Sequence, residues 1–184
     1  MALTDELDAV AATAATHAAP GERMMAILVA EPHPGERTYI CAYTGDDATT
    51  WLAFDAQLHP ISSRERVRAA VSIAALCELA EENAGGGELE ALRQKLVTLR
   101  LTEHPPGIDD AEDAALALEA AIGTAPRVAT PAYLDDVGLA TRRLEIALGG
   151  GDAGSPFSVA MQQALGSVEE LTAAVEANYK VPLS

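Results

Sequence analysis

Chemistry in this chain has to be sought among few residues. His33 and His59 sit in two turn-rich stretches, Pro32-His33-Pro34-Gly35 and Leu58-His59-Pro60, with Glu31, Glu36 and Asp55 close by in sequence. Two imidazoles and a carboxylate can bind a divalent metal, which makes His33 and His59 the metal candidates. The second place is the E-x-x-E-E run of Glu78, Glu81 and Glu82. Residues three and four apart share a helix face, so Glu78 with Glu82, or Glu78 with Glu81, can hold one Mg²⁺. Glu78 and Glu82 are thus the catalytic candidates of a Mg²⁺-dependent hydrolase. A further acidic cluster comprises Asp109, Asp110, Glu112 and Asp113. Each place also has a plainer reading: loop histidines beside prolines, and solvated, acid-rich helix ends.

Other chemistries find no constellation. The chain has no H-E-x-x-H, no G-x-S-x-G, and no glutamate three residues before His17 or His104. Four-helix carboxylate sites and zinc hydrolases are therefore not expected. The run Gly150-Gly-Asp-Ala-Gly-Ser155 precedes a helix, but it lacks the Lys-Ser/Thr of a phosphate-binding loop. Arg64, Arg66 and Arg68 fan around the start of another helix and are expected to pair with acids. No cofactor is indicated, and a divalent metal is the one the residues admit.

These side chains must be placed by some framework, and the clearest part of it lies at about 24–55. Met24–Ala30, Thr38–Tyr43 and Thr49–Phe54 are short runs rich in β-branched, aromatic and other apolar residues. Pro32–Gly35 and Gly45-Asp46-Asp47 separate them, so the stretch reads as an antiparallel meander of three strands. The middle strand should be central, with Tyr39, Cys41 and Tyr43 on one face and Thr38, Ile40 and Ala42 on the other. In an up-down-up meander the turn after the first strand and the exit from the third lie at one end, which brings the loops of His33 and His59 together. The first strand is apolar on both faces, as if covered on both sides. As a continuous apolar edge, Met25–Val29 invites pairing across a dimer axis.

Helices surround the meander. Residues 4–18 carry Leu7, Val10 and Ala14 at helical spacing, with Thr4 as N-cap and His17 in the last turn. Ser62-x-x-Glu65 reads as a capping box for a helix from Val67 to Ala80 that is apolar nearly all round. Such a helix is central and buried. Leu89, Leu92, Leu96 and Leu99 form a stripe that ends before Pro105-Pro106-Gly107. Asp109 or Asp110 can cap the next helix, and Thr130-Pro131 and Ser155-Pro156 open the last two. Gly166-Ser167 with Glu170 offers an alternative break in the last one. Gly85–Gly87 and Gly149–Gly154 are the candidate flexible joints.

The expectation is an α+β fold: an N-terminal helix, a three-stranded antiparallel meander, and a mostly helical C-terminal half at about 62–180 around a central buried helix. Residues 1–184 are expected to form one domain, with a possible joint at 149–154. Hydrophobic residues make up 49% of the chain and aromatics only 4%, so the core should be built of small side chains on helices. A formal net charge of -16 repels phosphate backbones and anionic lipid, which argues against nucleic-acid and membrane partners. Cys41 and Cys77 belong to no C-x-x-C and read as buried thiols of a cytoplasmic protein. The leading functional expectation is a non-enzymatic interaction or regulatory protein acting as a homodimer, with a protein partner. The alternative is a small-molecule or divalent-metal-binding domain.

Overall fold

The computed structural model describes residues 3–46, 48–84, 88–123, 127–148 and 155–180. Its elements are α1 (Leu3–Ala15), β1 (Arg23–Ala30), β2 (Thr38–Thr44), β3 (Thr49–Asp55), α2 (Arg64–Asn83), α3 (Glu88–Thr102), α4 (Ile108–Ile122), α5 (Pro131–Ala147) and α6 (Pro156–Ala177). The fold is α+β, with a three-stranded antiparallel sheet in the order β1-β2-β3 and five helices after it. Among the described residues no helix is long and apolar enough to cross a membrane. The chain divides into two compact units. The first comprises Met1–Ala75, Pro126–Pro131 and Gly166–Ser184, and the second Leu76–Ala125 and Ala132–Leu165. The joint at 149–154 and the glycines at 85–87 lie outside the described residues.

In the first unit everything is built on β2, which is buried from Thr38 to Tyr43. Strand alternation sends Tyr39, Cys41 and Tyr43 to one face and Thr38, Ile40 and Ala42 to the other. α1 covers the tyrosine face. Its Val10 and Ala14 are fully buried, and the Tyr43 hydroxyl donates to the Ala14 carbonyl at 2.9 Å. The start of α2 serves the other face, where Arg66 reaches Thr38 Oγ1 (3.3 Å) and the Arg37 carbonyl (3.0 Å). Ser63 caps α2, accepting from the Arg66 N–H at 3.3 Å. The cap is thus one residue later than the Ser62–Glu65 pattern predicts, because the β3 exit runs on to Ile61, whose N–H bonds the Ala53 carbonyl.

Both sheet edges are partly occupied. Ala129 bridges the end of β1, accepting from the Glu31 N–H and donating to the Val29 carbonyl, each at 2.8 Å. At the other end of β1 the register slips between Met24 and Ala26, and Met25 bulges out 69% exposed. A bulge bends a strand and blunts its edge. The expected cover on both faces is therefore found only around Val29 and Ala30. On β3, the Trp51 N–H donates to the Asn178 carbonyl and the Lys180 N–H to the Trp51 carbonyl, at 3.1 and 2.7 Å. Tyr179, between them, donates its hydroxyl to the Ile61 carbonyl and accepts from the Ala53 N–H. Lys180 then pairs with Glu22 and lies 4.1 Å from the centre of the Tyr43 ring. Residues 178–180 are a strap across the outer edge of β3.

The second unit is helical. Leu96 of α3, Ile108, Ala111, Ala115 and Leu118 of α4, and Val137, Ala140 and Leu144 of α5 form its core with Ala80 and Ala84 from the end of α2. Alanine lets helices approach closely, as the composition predicts. Pro131 opens α5 as expected, and α6 runs unbroken through Gly166-Ser167. Neither Asp109 nor Asp110 caps α4. Gly107 stands at the N-cap with φ +82, and the two acids fall in the first turn, where the helix dipole favours them. Glu145 holds the start of α6, accepting from the Phe157 N–H at 2.9 Å.

The Lys180 hydrogen bond, followed by the Ala19 N–H, lowers the Glu22 carboxyl from 4.5 to about 2. A lowered folded-state value stabilises the fold above the unfolded value and loses that contribution as pH falls toward the folded value. Glu22→Gln should therefore cost about 1 kcal/mol at neutral pH and flatten the stability profile between pH 4.5 and about 2, as read by urea denaturation across that window. Tyr179→Phe strands two buried backbone groups and should cost about 1–3 kcal/mol in the same assay.

Candidate functional site

The first unit has a cleft of about 370 Å³ where α1, the β1–β2 turn, the start of β2 and the β3 exit meet. Glu6 comes from the first turn of α1, Arg37 from the residue before β2 and Tyr39 from the start of β2. Glu31 and Gly35 come from the turn, and Ala9, Ala56 and Leu58 supply apolar wall. Arg37 lies between the two carboxylates: Nη1 donates to Glu6 Oε2 at 2.8 Å and Nε to Glu31 Oε2 at 3.4 Å. The Tyr39 hydroxyl donates to the same Glu6 oxygen at 2.7 Å, and the Gly35 N–H to Glu31 Oε1 at 2.8 Å. Gly35 has φ +83, a left-handed conformation that glycine adopts without steric cost and that closes the turn onto Glu31.

The electrostatics follow from this wiring. The Tyr39 hydroxyl, then Arg37, holds the Glu6 carboxyl below the usual carboxylate range. Burial, then Glu6, pushes the Tyr39 hydroxyl up. Glu6 is thus a weak base and Tyr39 a weak acid near neutrality. A general acid or base works best with a pKa near the operating pH, so this pair suits binding and orientation better than proton transfer. Two carboxylates against one guanidinium leave the cleft one negative charge, which favours a cationic group over an anion.

One wall of the cleft is strained. Leu58 has φ +63, a conformation that costs a non-glycine residue roughly 1 kcal/mol or more. The loop imposes it: Asp55 Oδ1 accepts from the Gln57 and His59 N–H groups, each at 2.9 Å, and the Asp55 N–H donates to the His59 carbonyl at 3.0 Å.

The β1–β2 turn and the β3 exit therefore do meet at one cleft, through Glu31, Gly35, Ala56 and Leu58. His33 and His59 are exposed, and His59 Nδ1 lies 3.7 Å from Asp55 Oδ2. Among the described residues no three His, Cys, Asp or Glu side chains are grouped to hold a metal ion. Glu78 and Glu82 are exposed on the solvent side of α2, while Glu81 accepts from the Tyr133 hydroxyl at 2.8 Å. Cys41 and Cys77 are buried, and burial pushes the Cys41 thiol up to about 12.

A second feature belongs to the helical unit. α3 and α4 are joined by ion pairs between Arg93 and Glu119 (2.6 Å) and between Arg100 and Glu112 (2.7 Å). Pairing early α3 with late α4, and the reverse, sets the helices antiparallel. Val97 and Leu116 line a groove between them with Gln94 and Thr98. Leu101 follows one helical turn after Val97 and is 78% exposed.

Periodicity did not flag Glu6, Arg37 and Tyr39 as a group. The one available signal was Arg37-x-Tyr39, whose alternation places both on one strand face, opposite a helix with acids in its first turn. Arg37→Ala would leave Glu6 and Glu31 facing each other without the cation. The Glu6 carboxyl should then rise toward the ordinary glutamate range, as followed by carbon-detected NMR titration of the side chain.

Compared with protein-family models, curated proteins and solved structures, the chain matches none.

Proposed function

We propose that this protein is a non-enzymatic interaction protein that acts as a homodimer in the cytoplasm. The observation that supports this reading is the outer face of the α3–α4 pair. There Val97, Leu101 and Leu116 are 44%, 78% and 45% exposed, along one groove and its continuation. Isolated exposed apolar residues are ordinary, whereas a contiguous strip rimmed by polar groups is how a protein-binding surface is built. Covering each of these side chains contributes on the order of 1 kcal/mol toward association. The two cysteines, read as thiols, suit a reducing compartment.

A second reading, a small-molecule-binding domain, is favoured by the cleft of the first unit. The strained Leu58 and the Glu6–Arg37–Glu31 arrangement are costs that a ligand contact would account for. Its ligand would carry a positive charge and a short apolar body.

Native mass spectrometry and light scattering test the first reading. Wild-type protein should show twice the chain mass. Leu101→Glu, a change at an exposed position, should leave the helix content intact and shift the protein to monomer. A wild-type protein that stays monomeric at high concentration and buries no apolar strip on any partner would sink the proposal.

A further inference from the structure

We propose that the cleft of the first unit takes a primary ammonium group carried on a short aliphatic chain, with Glu6 as the carboxylate that receives it. This rests on the small-molecule reading above and names the class of its ligand. The acceptors in the cleft are unequally used. Glu6 Oε2 is taken twice, by Arg37 Nη1 at 2.8 Å and by the Tyr39 hydroxyl at 2.7 Å. Glu6 Oε1 accepts from no donor among the described residues. Glu31 is used on both oxygens, Oε1 by the Gly35 N–H at 2.8 Å and Oε2 by Arg37 Nε at 3.4 Å. The two glutamates that line the cleft thus leave one carboxylate oxygen uncommitted, on a side chain that solvent can still reach.

Four kinds of cation can be weighed against that single oxygen. A divalent metal ion needs several oxygens converging on one point, and among the described residues no three His, Cys, Asp or Glu side chains are so grouped. A guanidinium is planar and pairs best with both oxygens of one carboxylate. Neither Glu6 nor Glu31 has both oxygens open. A quaternary ammonium donates no hydrogen bond and is held by aromatic faces. Of the residues that line the cleft only Tyr39 is aromatic, and it gives its hydroxyl to Glu6. A primary ammonium is a compact charge whose donors can turn to one oxygen. It can bond Glu6 Oε1 while Arg37 stays in place, so the ion pairs that shape the cleft survive its arrival. It also neutralises the one negative charge that Glu6 and Glu31 leave against Arg37. Tyr39 and Arg37 keep Glu6 ionised throughout the neutral range, so that charge is always present. Ala9, Ala56 and Leu58 supply wall for the aliphatic chain. At about 370 Å³ the cleft lies at the lower end of small-molecule sites, which suits a body of a few carbons.

Four probes with one butyl body test the inference on the full chain: butylammonium, butylguanidinium, butyltrimethylammonium and uncharged 1-butanol. Binding is read from the backbone amide shifts of Gly35, Tyr39 and Leu58 in NMR titrations. Butylammonium should bind at least about tenfold more tightly than each of the others. Glu6→Gln should weaken butylammonium by a similar factor, and the wild-type ranking does not depend on how that variant folds. Equal or tighter binding of the guanidinium or the trimethylammonium probe at these residues overturns the inference and leaves the small-molecule reading standing. So does a folded Glu6→Gln variant that binds butylammonium as wild type does. If none of the four probes shifts these residues, both fail.

Discussion

A strand buried on both faces and bonded along both edges has no access to water, and β2 is such a strand. Each polar atom it carries needs a protein partner, because an unmet buried donor or acceptor costs about 1–3 kcal/mol. The neighbourhood of β2 can be read as the answers to that demand. Tyr43 takes the end of α1, Tyr39 takes Glu6 from its start, and Thr38 takes Arg66 from α2. Two hydroxyls on one strand face thus fix both ends of α1 over the sheet. Glu6 is brought to the cleft for the sake of Tyr39, and Arg37 meets it there. The cleft lies where the strand emerges toward solvent.

The same constraint explains how far the sequence could be read. Strand alternation and turn residues located the meander within a residue at either end, and the middle strand was central for a reason visible in its composition. Prolines marked the starts of α5 and α6, because a fixed φ and a missing N–H suit the first helical position. Helix starts without that signal were less readable. At Ser62-Ser63 two equivalent hydroxyls compete, and only the path of the chain out of β3 chooses between them. At Gly107 the backbone conformation caps the helix and no side chain advertises it. The cleft was half readable. Topology joined the two loops, whereas the approach of Glu6 to Arg37 and Tyr39, 31 and 33 residues away, depends on how α1 crosses the sheet. Hydrophobic periodicity tells which face of a helix is buried and says nothing of the angle at which it lies.

Charge is distributed differently in the two units. Around the sheet, cations are anchored within the fold: Arg37 between two glutamates, Arg66 on the Thr38 hydroxyl and the Arg37 carbonyl, and Lys180 on Glu22 beside the Tyr43 ring. There a few bases hold the acids and backbone groups that the sheet brings near. In the helical unit Arg93 and Arg100 of α3 pair with Glu119 and Glu112 of α4, so the cations there tie one helix to the next. A net charge describes neither pattern, and it is the local sorting that sets what each surface can approach.

The strap of residues 178–180 bears on how the chain reaches this state. Tyr179 is bonded to Ala53, 126 residues earlier, and the residues between them include all of the helical unit. During synthesis the meander leaves the ribosome early with the outer edge of β3 uncovered. That edge waits while the helices at 76–165 are made. Long-range closure of this kind is slow compared with helix formation, so the last step of folding should be the docking of the strap. Until then Trp51 keeps open backbone groups on an exposed edge, the condition under which strands pair with the wrong chain. The helical unit, with its local contacts, has no such wait. One polypeptide therefore combines a part held by local contacts with a part whose outer strand edge is covered from 126 residues downstream.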